Sequence, residues 1–166
     1  MQPSILNIVF SFAVALILHE AGHFLAARAC KIKVNEAGIG WGKTLFAITA
    51  KGVGYRIRML PLGAYVRMDM LELQARPLTQ QLFVLLAGIG VNLILGGLFW
   101  GSYFGVVNVT LALMNLFPIY QQDGWKTGMV IFRRLFNRPS PFVEWSFTIS
   151  FAVLALSLLF WAVMSV

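Results

Sequence analysis

His19, Glu20 and His23 stand together in the stretch Ile17-Leu-His-Glu-Ala-Gly-His-Phe24, inside a run otherwise made of apolar residues. Positions four apart on a helix share one face, about one turn apart, so the two imidazoles project the same way and can share one ion. Glu20 lies beside the first of them. This is the His-Glu-x-x-His arrangement, in which the histidines hold Zn²⁺ and the glutamate acts as general base toward a bound water. The chain has 2 histidines, and both are here. The bland alternative is a pair of hydrogen-bonded polar residues in a bundle core. Inside a membrane, however, ionisable side chains cost about 2.5–3.5 kcal/mol or more each and mark function.

A catalytic zinc site takes three protein ligands and keeps one position open. The chain offers 6 acidic residues. Glu36, Asp69 and Glu72 fall in a basic loop, and Glu144 sits at the start of an apolar segment. Asp123 ends a short apolar segment at a depth that meets the first helix, which makes it the expected third ligand. Its competing reading is a turn residue, since Asp-Gly is a common turn dipeptide.

The elements that must position these residues are membrane helices. Charged residues make up 11% of the chain and mean hydropathy is +0.79, against about 25% charged in soluble domains. A spanning helix needs about 20 apolar residues. Segments 5–27, 82–107 and 142–166 qualify as full spans. Segment 109–123 is too short to cross alone, is interrupted by Pro118, and is expected to be a partial span. The reading is one α-helical integral membrane domain over 1–166, with three full spans and one partial span. A signal peptide is rejected because the N-terminus has no basic region and its apolar run carries ionisable groups. The single cysteine, Cys30, excludes an internal disulfide and reads as a small apolar filler.

All 13 basic residues lie in two alternate segments. One follows the first span, from Arg28 to Arg76; the other, from Lys126 to Arg138, precedes the last span. Residues 1–4, a short turn expected around Asn108 and the C-terminus carry none. The positive-inside rule places both basic loops in the cytoplasm and both termini outside. The net charge of +7 therefore reads as a topology signal, not as a nucleic-acid footprint. Within the first loop, residues 45–50 and 55–60 flank Lys-Gly-Val-Gly and predict a membrane-associated β-hairpin, part of a β-element over about 44–69. Its second arm alternates Tyr/Ile/Met against Arg/Arg/Leu, and residues 64–69 add a strand. Gly97, Gly101 and Gly105 form a small-residue stripe for close helix approach.

Four motifs, in order along residues 19–124, resemble the site-2 protease family of intramembrane zinc metalloproteases, in its compact bacterial form. They are His19-Glu-Ala-Gly-His23, Pro61-Leu-Gly-Ala-Tyr-Val66, Gly88-x-x-x-Asn92 and Asn115-x-x-Pro118-x-x-x-x-Asp123-Gly124. The resemblance implies that His19, His23 and Asp123 bind Zn²⁺ and that Glu20 is catalytic. It further implies that Asn92 sits near the substrate or scissile bond, that Asn115 and Pro118 shape the Asp123 segment, and that the β-element lies near the active site. Two motifs depart from the family pattern, with Gln122-Asp-Gly-Trp125 for Leu-Asp-Gly-Gly and Ile89 where a proline is common, and neither departure removes a ligand. About a dozen residues separate Asp69 from Leu82, too few for the PDZ domain that many bacterial members carry there.

The implied activity is peptide hydrolysis in or near transmembrane segments. The implied substrate is a single-span membrane protein, such as an anti-sigma factor or a signal-peptide remnant, in the bacterial inner membrane. Because a helical substrate must unwind to be cut, its freed backbone groups need partners, and residues 55–60 are expected to supply an edge strand for them. One alternative is a catalytically inactive metal-binding scaffold, which would have no use for Glu20. A metal transporter is disfavoured because the broken segment has no repeat.

Overall fold

The computed structural model describes residues 4–117, 119–136 and 141–164. The chain runs α1 (Ile5–Ala29), β1 (Val34–Ala50), β2 (Val53–Met68), α2 (Met70–Ala75), α3 (Leu78–Leu98), α4 (Tyr103–Leu116), α5 (Asp123–Leu135) and α6 (Pro141–Met164). Among the described residues, α1 and α3 are the two helices long and apolar enough to cross a membrane. Ser4 opens α1, its hydroxyl accepting the Asn7 N–H at 3.3 Å. Helix α6 covers the expected third span as far as Met164.

The second expected span, 82–107, is not one helix. It begins earlier, at Leu78, and breaks at residues 99–102, after which α4 starts. Ser102 is the cause of the break: its hydroxyl donates to the Phe99 carbonyl at 2.6 Å and accepts the Gly105 N–H at 3.0 Å, capping a new helix. The glycine stripe is therefore split, with Gly97 in α3, Gly101 in the turn and Gly105 in α4. Asn108, expected in a turn, is fully buried in α4. Of the expected partial span 109–123, residues 109–116 form the second half of α4, whose 14 residues reach about 21 Å, and the helix ends well before residue 123. Residue 123 does not end that segment but begins α5, so the second basic loop is largely helical. In α5, Met129 and Phe132 are buried while Arg133 and Arg134 face out.

The β-element forms, with Lys51 and Gly52 (φ 51 and 77°) making the turn. Both strands bend, so the sheet is wider than a hairpin. Residues 36–39 pair on one side with Arg67, Val66, Tyr65 and Ala64, and on the other with Gly54, Tyr55, Arg56 and Ile57. Phe46, Ala47 and Ile48 then pair with Ile57, Arg56 and Tyr55. Residues 55–57 are thus partnered on both sides, which corrects the expectation that they form an edge. The outer segments are residues 46–50 and 64–68. The expected alternation is seen in part: Ile39, Ile48, Tyr55 and Ile57 line a groove against α1, which Arg56 and Tyr65 also border, and Glu36, Arg56, Arg58 and Tyr65 bond one another.

The sheet is anchored to the helices at its base. Ala26 and Ala27 of α1, Ile32, Val34, Val53, Leu73 of α2, and Val84 and Leu85 of α3 make one buried cluster. Asp69 caps α2 by accepting the Leu71 and Glu72 N–H groups at 2.9 and 3.1 Å, and Glu72 accepts the Lys33 N–H at 2.7 Å. This fixes the exit of the sheet beside its entry. Helix α3 packs against α1, α4 and α5 and is the central post on which the site is built.

Candidate metal centre

Helix α1 presents His19 and His23 on one face, and the two rings meet edge to face with centroids 4.8 Å apart. Asp123 reaches them from the first turn of α5, where the positive end of the helix dipole favours a carboxylate. His19 Nε2 and His23 Nε2 lie 3.0 and 2.9 Å from Asp123 Oδ2 and 3.2 Å from each other. All three residues are buried. Asp123 Oδ1 accepts from Lys126 Nζ at 3.1 Å, one turn along α5.

The triangle reads as a cation site once its protons are counted. His23 Nδ1 is 2.8 Å from the Val84 carbonyl, which only accepts, so that nitrogen carries the ring proton. A neutral His23 then turns a bare lone pair inward, toward a carboxylate oxygen and another ring nitrogen. Electron-pair donors converging at this spacing repel one another without a positive charge between them. A tetrahedral zinc ion with bonds of about 2.0–2.1 Å separates its ligands by roughly 3.3 Å, close to the three distances here. These are the groups that the described residues bring together as possible metal ligands.

The close approach depends on α3. A Cβ on Gly88 would lie 2.5 Å from His23 Nε2 and 2.6 Å from His19 Nε2, so only glycine leaves the rings their space. Gly124 does the same for Asp123: a side chain there would run into the Leu116 carbonyl, so its absence lets α5 tuck under the end of α4. One turn beyond Gly88, the amide of Asn92 is 3.2 Å from His19 Nδ1 and fully buried.

Glu20 follows His19 in α1 and borders a groove beside the three ligand candidates. It lies half-buried in the apolar groove between α1 and the sheet, a space of about 410 Å³, with Ile17, Phe24, Ile39 and Tyr55 among its neighbours. Asn115 stays within α4, its side-chain amide donating to the Leu111 carbonyl at 3.0 Å. Its own carbonyl lies against Gly124. Pro118 lies outside the described residues. Sequence reasoning missed Lys126 because Asp123 was expected to end a segment; as the start of a helix it places Lys126 one turn away. It missed Val84 because that residue acts through its backbone, which side-chain identity does not report.

On the polar face of the sheet, Glu36 is buried and accepts from the Tyr65 hydroxyl, from Arg56 Nε at 3.1 Å and from Arg58 Nη2 at 3.5 Å. The Tyr65 hydrogen bond, followed by the arginine charges, holds its carboxyl below the usual glutamate range despite desolvation.

Residues 7–104 match peptidase family M50. The chain belongs to this family, that of the site-2 proteases, whose members are membrane proteins. It is 31% identical over 134 residues to a protein of Clostridium acetobutylicum named "Putative zinc metalloprotease", an alignment covering 74% of this chain and 40% of that one. It is also 31% identical over 127 residues to the regulator of sigma E protease of Haemophilus influenzae, covering 68% of this chain and 29% of the relative. The chain thus spans less than half the length of the curated relatives it matches.

Proposed function

We propose that this chain is the catalytic core of an intramembrane zinc metalloprotease, hydrolysing peptide bonds in or near the transmembrane segments of other membrane proteins. The observation that carries the proposal is the convergence of His19 Nε2, His23 Nε2 and Asp123 Oδ2 within hydrogen-bonding distance of one another, with Glu20 beside them in an apolar groove. A zinc ion held by His19, His23 and Asp123 would polarise the scissile carbonyl and lower the pKa of water to about 7. Glu20 is the general base: it accepts the proton of the attacking water and passes it to the leaving amine. Lys126 Nζ donates to Asp123 Oδ1 at 3.1 Å, which leaves Oδ2 to face the histidines. The groove gives an unwound substrate apolar walls, and Gln121 and Gln122 lie on the water path from the cytoplasm.

In this reading α1, α3 and α6 cross the bilayer and α4 is the partial span. Both basic segments lie in the cytoplasm and both termini outside, in the inner membrane of a bacterium. Substrates are single-span proteins. The likeness to a regulator of sigma E protease favours anti-sigma factors, and signal-peptide remnants fit the same groove. Strand addition, if the sheet provides it, uses the outer segments 46–50 or 64–68, since residues 55–57 have both sides occupied.

The test is co-expression of a tagged single-span substrate panel with wild type and with Glu20→Gln. A product formed by wild type and suppressed by a zinc chelator and by Glu20→Gln supports the protease. Equal product from both variants refutes the role of Glu20. No product from either across the panel, with zinc bound in both, favours the inactive scaffold.

A further inference from the structure

The two histidines have outward-facing nitrogens, and these meet different partners. His23 Nδ1 faces the Val84 carbonyl, a group that accepts whatever the side chain there. His19 Nδ1 faces the side-chain amide of Asn92, 3.2 Å away. An amide can turn either end toward a ring nitrogen, and its oxygen and nitrogen are assigned from the hydrogen bonds they make. With the NH₂ group toward His19, Asn92 Oδ1 is buried and has no partner among the described residues. A half-turn of the amide brings Oδ1 to His19 Nδ1.

Which end is needed follows from the chemistry of the inner nitrogen. When His19 Nε2 gives its lone pair to a cation, the neutral ring keeps its proton on Nδ1. That N–H, in a pocket closed to solvent, requires an acceptor, and Asn92 is the side chain within reach. The amide's NH₂ group would instead oppose one donor to another and favour the tautomer whose Nε2 carries the proton and cannot bind metal.

We propose that Asn92 is a positioning residue for the metal centre: its Oδ1 accepts from His19 Nδ1–H, fixing the ring's tautomer and orientation as the Val84 carbonyl fixes those of His23. This rests on the zinc reading of the site and goes beyond a substrate contact for Asn92. It also accounts for the joint occurrence of Gly88 and Asn92 on α3. One turn of one helix face supplies the space for both rings and the acceptor for one of them. Partners of this kind orient ligating histidines, and losing one costs about 10–100-fold in metal affinity.

The experiment is zinc affinity of the full chain in detergent, measured by competition with a chromophoric chelator, so that no turnover is needed. Asn92→Leu removes the acceptor and is expected to weaken binding about 10–100-fold. Asn92→Ser, too short to make the contact, is expected to show the same loss and stands in if the leucine variant does not fold. Asn92→Asp keeps an acceptor and is expected to bind at least as tightly as wild type. Asn108→Ser is the packing control: Asn108 is equally buried and its Oδ1 also has no partner among the described residues, but its amide bonds the Phe104 carbonyl of its own helix. Its zinc affinity should not change. Unaltered affinity in the serine and leucine variants, or equal losses in Asn92→Ser and Asn108→Ser, overturns the proposal. Failure of the underlying reading looks different: wild type itself would then bind no zinc.

Discussion

Two buried carboxylates, one in the helices and one in the sheet, show what separates a site from a structural knot. Glu36 is surrounded by groups that donate: a tyrosine hydroxyl and two guanidinium groups. Its charge is answered within the protein, and the cluster needs nothing further. Asp123 receives one such donor, Lys126, on Oδ1. Its other oxygen faces two imidazole nitrogens, of which at least His23 Nε2 has no proton to give in the neutral ring. Burial and charge are common to both places, but only the helical one has an excess of lone pairs, and that excess calls for a cation.

The comparison breaks most sharply at the helical carboxylate. Asp123→Ala removes one of the three proposed ligands, and zinc affinity should fall by more than the 10–100-fold typical of an outer partner, read by metal content after gel filtration. Glu20→Gln should leave zinc in place while lowering turnover about 10²–10⁴-fold, the range of general-base catalysis. The pair of results separates holding the metal from using it.

A smaller effect is expected from the space around the rings. Gly88→Ala puts a methyl group where His23 Nε2 and His19 Nε2 now sit, and overpacking of this kind costs about 1–3 kcal/mol. Zinc affinity should drop together with thermal stability. Gly128→Ala in α5, where a Cβ meets nothing within 4 Å, should leave both unchanged or raise stability slightly. Equal effects at the two glycines would mean that the rings tolerate the methyl group.

The smallest effect belongs to the sheet. Glu36→Gln should cost about 1–3 kcal/mol of stability through the weakened arginine and tyrosine bonds and leave zinc affinity untouched. The sign of its pH dependence follows from a folded pKa below the ordinary value of 4.5. The stabilisation is fully present above that value and is lost as pH falls through the lowered folded one. Acid melts of wild type and Glu36→Gln should therefore converge only once the pH has fallen below that lowered folded value.

The candidate metal ligands were the most legible part of the sequence because their chemistry is written in side-chain types: two histidines at helical spacing and a carboxylate at the end of an apolar run. The sheet's two faces were legible in part from the alternation of Tyr55, Ile57 and Met59 with Arg56 and Arg58. The pairing of residues 55–57 on both sides was not, because it depends on bends in β1 and β2 that alternation does not encode. The break at residues 99–102 was hidden by continuous hydrophobicity. One serine hydroxyl ended a helix and started another inside a stretch that hydropathy treats as uniform. Helix α5 was hidden by the opposite cue, since a run of basic residues resembled a loop although Met129 and Phe132 already keep helical spacing.

Zinc content of the purified full chain, compared across wild type, Asp123→Ala and Glu36→Ala, tests the distinction between the two carboxylates most directly. One zinc per chain is expected in wild type and in Glu36→Ala, with less than about a tenth retained in Asp123→Ala after dialysis. Equal zinc in all three, or its loss from Glu36→Ala with retention in Asp123→Ala, would contradict the assignment of the metal to the α1–α5 junction.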